Sequence, residues 1–383
     1  MIGTINLNPG ETFQERYRLW QGCPTILCTP KGRLFAGWYS GGTNEPSFFN
    51  YDLLVKSDDG GLRWSDPILV IESLKNEYTI CIDIQLWLDP QNKMWLFWTQ
   101  RDYRFPQNSP EHLRTYAVIC DDPDGEQLSF SEPRLVAPGF LRCQPTVLSD
   151  GRIMLCAYDW IGECFSYSIS SDGGNTWVRK SAGRKNFNTD FDESMVLERK
   201  DGSLWMLARN AETGTLTQTI SCDGGENWSD GEKSSIVSPA TRFFIKRLPS
   251  GRILLIKNDA PKERIMMKAF LSEDDGATWK YSLLIDPRLT SYPDAAIGND
   301  GTIYMVHDRG RVTFKEILIS RFTEEDIMAG ELVNHNSFLC QIISKAPIRS
   351  ADPEAEEKIR EEDKKFQEIK FKLLGLVFDP PKK

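Results

Sequence analysis

Along the chain, short apolar runs alternate with polar turns that carry glycine or asparagine. The clearest form is a turn followed by a strand-like run. It recurs as PKGRLFAGWYS (30–40), PQNKMWLFWTQ (90–100), SDGRIMLCAYDW (149–160), KDGSLWMLARN (200–210), PSGRILLIKND (249–259) and NDGTIYMVHDR (299–309). Apolar runs of this length, bounded by turn residues, predict strands and not helices. Taking Gly32, Asn92, Gly151, Gly202, Gly251 and Gly301 as markers, the intervals are 60, 59, 51, 49 and 50 residues. Six copies at that period predict six four-stranded blades around one axis, a six-bladed β-propeller over residues 1–350. The pattern changes after residue 350. From Glu354 to Lys372 it reads EAEEKIREEDKKFQEIKFK, which predicts a charged helix. An apolar LLGLVF and a proline pair complete a C-terminal segment (351–383) packed on the propeller.

A second repeat, Ser-x-Asp-x-Gly-x-x-Trp, falls between the first. It occurs at Ser57–Trp64, Ser170–Trp177, Ser221–Trp228 and Ser272–Trp279, with a worn copy at CDDPDGEQLSF (120–130). Ser and Asp side chains satisfy backbone N–H groups in a tight turn, glycine takes the unusual backbone angles, and tryptophan packs on the blade. Asp59, Asp172, Asp223 and Asp274 are therefore expected to be turn residues and not catalysts.

Composition narrows the function classes. A net charge of −9 argues against a nucleic-acid or anionic-membrane surface, since both call for basic patches. No apolar run approaches the roughly 20 residues that span a bilayer. The first ten residues have no cationic or apolar leader pattern, which predicts a cytoplasmic chain. Nine cysteines without a CxxC spacing read as free thiols, and only three histidines argue against a histidine-based metal site.

Equivalent positions in propeller blades face one another. Nine residues before each marker stand Cys23, Asp83, Arg142, Glu193, Arg242 and Tyr292; seven after stand Tyr39, Thr99, Tyr158, Arg209, Asn258 and Asp308. Charged groups are rarely buried singly. Such a ring is either a salt-bridged plug in the channel or a ligand pocket at one rim.

The four Ser-x-Asp-x-Gly-x-x-Trp motifs are Asp boxes, and with them the chain resembles the sialidase superfamily from about residue 16 to residue 330. That resemblance implies a retaining exo-glycosidase with a tyrosine nucleophile and a glutamate partner. Tyr292 in SYPDAAIGNDG looks like the tyrosine and Glu193 in FDESMVLERKDG like the glutamate. Arg209 in WMLARN and Arg264 in KERIMMKAFLSEDDG look like two arginines of the family's carboxylate clamp. Asp308 in VHDRGR looks like the acid that orients one of them. The first clamp arginine belongs to an Arg-Ile-Pro motif on the opening strand, but here that stretch reads Gly22-Cys23-Pro24. Arg18, Arg142 and Arg242 are candidates to replace it. The general acid is sought on the glycine-rich loop YSGGTNEPSFFNYD (39–52), whose acids are Glu45 and Asp52, or at Asp83 in the next blade. Trp20, Trp38, Tyr39, Tyr103 and Trp160 are candidate sugar-stacking aromatics.

The leading expectation is a sialidase-like exo-glycosidase for a terminal, acidic sugar, with a carbohydrate partner, no metal or organic cofactor, and a homo-oligomer allowed. Two alternatives stay open: a propeller rhamnosidase or uronate-directed lyase, and a non-catalytic carbohydrate-binding propeller.

Overall fold

A computed structural model describes residues 2–75, 78–159 and 161–373 of the 383. Among the described residues, twenty-five strands form six sheets in a ring, a six-bladed propeller with two α-helices. Blade 1 holds strands Gln21–Cys28, Leu34–Gly41, Asn50–Ser57 and Leu69–Glu72, with Thr4–Asn6 added to its outer edge. Blades 2 to 6 each run as four antiparallel strands in chain order, opening with Thr79–Leu88, Thr146–Val147, Met195–Glu198, Phe244–Arg247 and Thr290–Ile297. Among the described residues no strand is exchanged between the first and last blades. The ring closes through side chains: Thr25 Oγ1 donates to Asp294 Oδ2 at 2.6 Å, and Cys23 N donates to Asp308 Oδ2 at 2.9 Å.

The six marker residues sit at left-handed φ between 63° and 87°, where glycine and asparagine carry little penalty. That is why this turn is so regular in the sequence. The Asp boxes share the same end of the blades. In the second copy, Ser170 Oγ donates to Asp172 Oδ1 at 2.8 Å and accepts from Gly174 N at 2.8 Å. Asp172 Oδ1 accepts from Thr176 N at 2.9 Å, and Trp177 Nε1 donates to the Gly174 carbonyl at 3.0 Å. The Thr176 hydroxyl, then the Thr176 backbone N–H and Ser170, hold the Asp172 carboxyl down at about 2. The opposite end of the blades is free of these turns and is where the inner strands begin.

That opposite end carries an irregularity repeated from blade to blade. Cys23, Asp83, Glu193 and Tyr292 all stand at positive φ (56°, 60°, 45° and 58°), a costly conformation for side chains other than glycine. In blades 1, 2 and 6 the register of the inner strand slips at this point, between Gly22 and Thr25, Ile82 and Gln85, and Ser291 and Asp294. A bulge re-aims one side chain out of the pleat. Repeated around the axis, it turns side chains of inner strands toward a common point.

The channel below is plugged. Arg242 Nη2 pairs with Asp294 Oδ1 at 2.9 Å and donates to Gln85 Oε1 at 3.2 Å, while Gln144 Nε2 reaches Asp294 Oδ1 at 3.3 Å. The salt-bridged plug is thus present in the channel. The long helix Pro353–Leu373 docks beside the rim, with Phe366 buried against Phe48 at a ring-centroid distance of 4.0 Å. The LLGLVF segment from Leu374 on lies outside the described residues.

Candidate active site

Five residues converge above the plug. The Tyr292 hydroxyl donates to Glu193 Oε1 at 2.8 Å. Arg209 Nη1 stands 3.5 Å from both the Tyr292 oxygen and Glu193 Oε2. Arg142 bridges two carboxylates, with Nη1 3.7 Å from Glu193 Oε1 and Nη2 3.1 Å from Asp83 Oδ2. Tyr292, Glu193 and Asp83 are at most 3% exposed.

Guanidinium groups surround the tyrosine ring. Arg311, Arg142 and Arg264 place Cζ 4.0, 5.1 and 5.6 Å from its centroid. Phe191 backs Arg209 and Arg142, at 5.2 and 5.8 Å. These guanidiniums are met by Asp83, Glu193, Asp190, Asp308 and Glu45, so the charges at the site are largely paired.

Burial and charge divide the proton-carrying groups. Burial, and then the neighbouring Glu193 charge, push the Tyr292 phenol up, so it is protonated at neutral pH. Burial also opposes ionisation of Glu193, but Arg209, Arg142 and the tyrosine hydroxyl outweigh it and hold this carboxyl below its ordinary range. Asp83 goes the other way. Its burial dominates the pull of Arg142, Glu45 and Glu193 add repulsion, and its pKa rises to about 7. Neither Asp83 oxygen accepts a hydrogen bond among the described residues.

The rim residues form a second layer. Asp308 accepts from Ser291 Oγ at 2.7 Å, from Cys23 N and from Arg311 Nε at 2.9 Å. Glu45, on the loop between the second and third strands of blade 1, pairs with Arg311 Nη1 at 2.8 Å and accepts from the Tyr39 hydroxyl. Tyr39 packs against Trp20, ring centroids 4.6 Å apart. The helix Pro353–Leu373 holds this loop: Asp363 Oδ2 accepts from Thr43 N and Thr43 Oγ1, both at 2.8 Å.

Tyr292, Glu193, Arg209, Arg142 and Asp83 are thus brought together, with Arg264, Asp308, Glu45 and Tyr39 around them. Two proposed clamp arginines are not. Arg18 is spent on the Phe13 carbonyl, at 3.1 Å from Nε, and on Ser344 Oγ at 2.9 Å, and its guanidinium lies over Trp38. Arg242 belongs to the plug, where it pairs with Asp294 and donates to Gln85. Trp20, Trp38 and Tyr103 are at most 2% exposed and are packing residues, while Trp160 lies outside the described residues. Arg311 and Phe191 escaped the sequence reading, since neither stands at a repeat-equivalent position. The signals were available in the HDRGR stretch and in the residue two before Glu193.

One group among the described residues is close enough to share a cation: Asp286, His307 and Cys340. Arg288 already grips both oxygens of Asp286, with Nε–Oδ1 2.8 Å and Nη2–Oδ2 2.7 Å. A carboxylate neutralised by a guanidinium is a poor metal ligand, so this cluster is a structural tie between blades 5 and 6.

The BNR repeat-like domain model matches residues 32–305. Over 152 residues the chain is 28% identical to a sialidase from Micromonospora viridifaciens, a match covering 37% of this chain and 23% of that protein. Among solved structures, the leech intramolecular trans-sialidase superposes with a TM-score of 0.67 at 16% identity, covering 86% of this chain and 71% of that one. The intramolecular trans-sialidase from Ruminococcus gnavus gives 0.64 at 16%, covering 84% and 98%. The NanB sialidase from Streptococcus pneumoniae gives 0.63 at 17%, covering 85% and 71%. With six blades, four Asp boxes and a family match over most of its length, the chain belongs to the BNR repeat-like proteins of the sialidase superfamily.

Proposed function

We propose that the chain is a retaining exo-glycoside hydrolase that removes a terminal acidic sugar. The observation that carries this reading is the 2.8 Å hydrogen bond from the Tyr292 hydroxyl to Glu193, set within a ring of guanidinium groups. A tyrosine serves as nucleophile where the substrate bears its own carboxylate, because a neutral phenol approaches without the repulsion a carboxylate nucleophile would meet.

In this scheme Tyr292 Oη attacks the anomeric carbon and its proton passes to Glu193. The glycosidic C–O bond breaks, and Asp83, still protonated near neutrality, delivers its proton to the leaving oxygen. A water then attacks the glycosyl-tyrosine. It gives its proton to Asp83, and Glu193 returns the other to the departing phenolate. Arg209 and Arg264 hold the sugar carboxylate, and Arg142 stabilises the charge on Glu193 and Asp83.

The direct test is hydrolysis of a panel of aryl glycosides comprising a sialoside, a glucuronide and a rhamnoside. Turnover of the sialoside or glucuronide, abolished by Tyr292→Phe and Glu193→Ala, is expected. Equal turnover in wild type and both variants would remove Tyr292 and Glu193 from the mechanism.

A further inference from the structure

The opening strand lacks the arginine that the resemblance calls for, and what occupies that space is visible. A Cβ built on Gly22 would stand 2.8 Å from Arg311 Cδ and 3.0 Å from its Cγ and Nε. Gly22 is not at positive φ, so glycine is needed there for space and not for backbone freedom. Arg311 enters from the loop after the strand Ile303–Arg309 in the last blade and lays its methylenes across the bare Gly22 backbone.

Its guanidinium is aimed and held. Nε donates to Asp308 and Nη1 to Glu45, which fixes the plane of the fork 4.0 Å from the Tyr292 ring centroid. Nη2 is buried and has no acceptor among the described residues. A buried donor of a charged group without a partner is costly, and an anion supplied by a ligand removes that cost.

We propose that Arg311 is the third arm of the carboxylate clamp, delivered from the last blade across Gly22 instead of from the opening strand, and that it works with Arg209 and Arg264 on the carboxylate of a terminal sugar. This rests on the reading of the Tyr292 centre as an acidic-sugar site. It also accounts for the glycine where the resemblance calls for an arginine, because an arginine at position 22 and one at 311 would compete for the same volume. Nε and Nη1 keep Asp308 and Glu45 while Nη2 meets the carboxylate, a three-way division that a single ammonium cannot reproduce, so lysine is not an equivalent here.

The test uses Arg311→Ala, Arg311→Lys and Gly22→Ala in the full chain. Two ligands are compared: the 2,3-unsaturated analogue of sialic acid as free carboxylate, and its methyl ester, with binding measured by calorimetry. Arg311→Ala is expected to weaken the carboxylate roughly 10- to 100-fold and leave the ester nearly unchanged. Gly22→Ala, whose new methyl collides with the Arg311 stem, is expected to reproduce that split while every charged residue stays in place. Arg311→Lys should recover only part of the loss. If wild type prefers the carboxylate and both Arg311→Ala and Gly22→Ala keep that preference, the clamp assignment falls and the acidic-sugar reading stands. If wild type shows no preference for carboxylate over ester, the acidic-sugar reading falls and takes the clamp with it.

Discussion

Tyr292 and Glu193 lie 99 residues apart in sequence, on blades 6 and 4, and are joined by one hydrogen bond of 2.8 Å from positions that are both at left-handed φ. Strain of that kind persists only where the surroundings over-determine it, and it clusters at functional sites. Replacing Tyr292 by Phe removes a single oxygen and keeps the ring that the guanidiniums pack against. Turnover of an acidic aryl glycoside is expected to fall at least as far as with Glu193→Gln, for which loss of a general base implies roughly 10²–10⁴-fold. Steady-state kinetics with a thermal melt alongside checks this. A Tyr292→Phe variant with near wild-type kcat would exclude the phenol as nucleophile.

Asp83 predicts the pH profile. A general acid works in its protonated form, so kcat/KM should fall as pH rises through about 7. Asp83→Asn should abolish that limb and slow substrates with poor leaving groups far more than those with activated aryl groups. Glu45→Gln should keep the limb, and a limb that vanishes with Glu45→Gln but survives Asp83→Asn would transfer the role to Glu45. The same shift affects stability. The folded state holds the proton on Asp83 at pH values where the unfolded chain, with an ordinary pKa of 3.8, has released it. The Asp83 contribution therefore becomes less favourable as pH rises from about 4 to about 7 and is flat above that.

The fold was legible because two independent turn chemistries repeat in register, and each is written in residues with few substitutes. Glycine or asparagine at the marker turns reflects left-handed backbone, and each Asp box is a closed hydrogen-bond circuit. The site was legible only where it followed the repeat. Glu193, Tyr292 and Asp83 stand at equivalent positions, but so do Arg142 and Arg242, and only the structure shows Arg142 rising to the rim while Arg242 sinks into the plug. The difference lies in the carboxylates each guanidinium meets, Asp83 and Glu193 for Arg142 and Asp294 for Arg242, and no local pattern encodes those pairings. Arg311 was hidden for another reason. It compensates for a glycine nearly 290 residues earlier, and a covering contact of that span has no local pattern.

The Asp boxes give a prediction about acid stability. The carboxyls of Asp59, Asp172, Asp223 and Asp274 are each held at about 2 by hydrogen bonds from the turn. Groups whose pKa is depressed by folding stabilise the native state above their unfolded value and lose that contribution as pH falls from about 4 to about 2. Melting temperature followed by circular dichroism should drop across that window. Asp172→Ala should lower the melting temperature at pH 7 and make the drop shallower, with kcat/KM at pH 7 unchanged, because the box lies at the far end of its blade. A fall in activity without a fall in stability would place the box in the catalytic machinery.

The helix Pro353–Leu373 does more than cover a surface. Asp363 accepts from Thr43 N and Oγ1 and from Ser47 Oγ, and Gln367 Nε2 donates to the Pro46 carbonyl at 3.1 Å. These bonds fall on both sides of Glu45, whose carboxylate holds Arg311 over the Tyr292 ring. Phe366 supplies the apolar anchor, buried between Phe48 and Tyr103. Phe366 belongs to the apolar cluster at the rim that includes Tyr39, Tyr103 and Tyr292, while the larger cores of the blades are built without it, so Phe366→Ala should undock the helix without unfolding the propeller. Loop 41–49 would then lose its tether, so proteolytic cleavage within it should quicken. Loss of Ångström-scale positioning at Glu45 and Arg311 should reduce kcat/KM by roughly ten- to a hundredfold. Asp363→Ala should act in the same direction with a smaller loss of docking. Unchanged kcat/KM in a Phe366→Ala protein whose loop has become protease-sensitive would show that Glu45 and Arg311 keep their geometry without the helix, and would reduce it to a packing element.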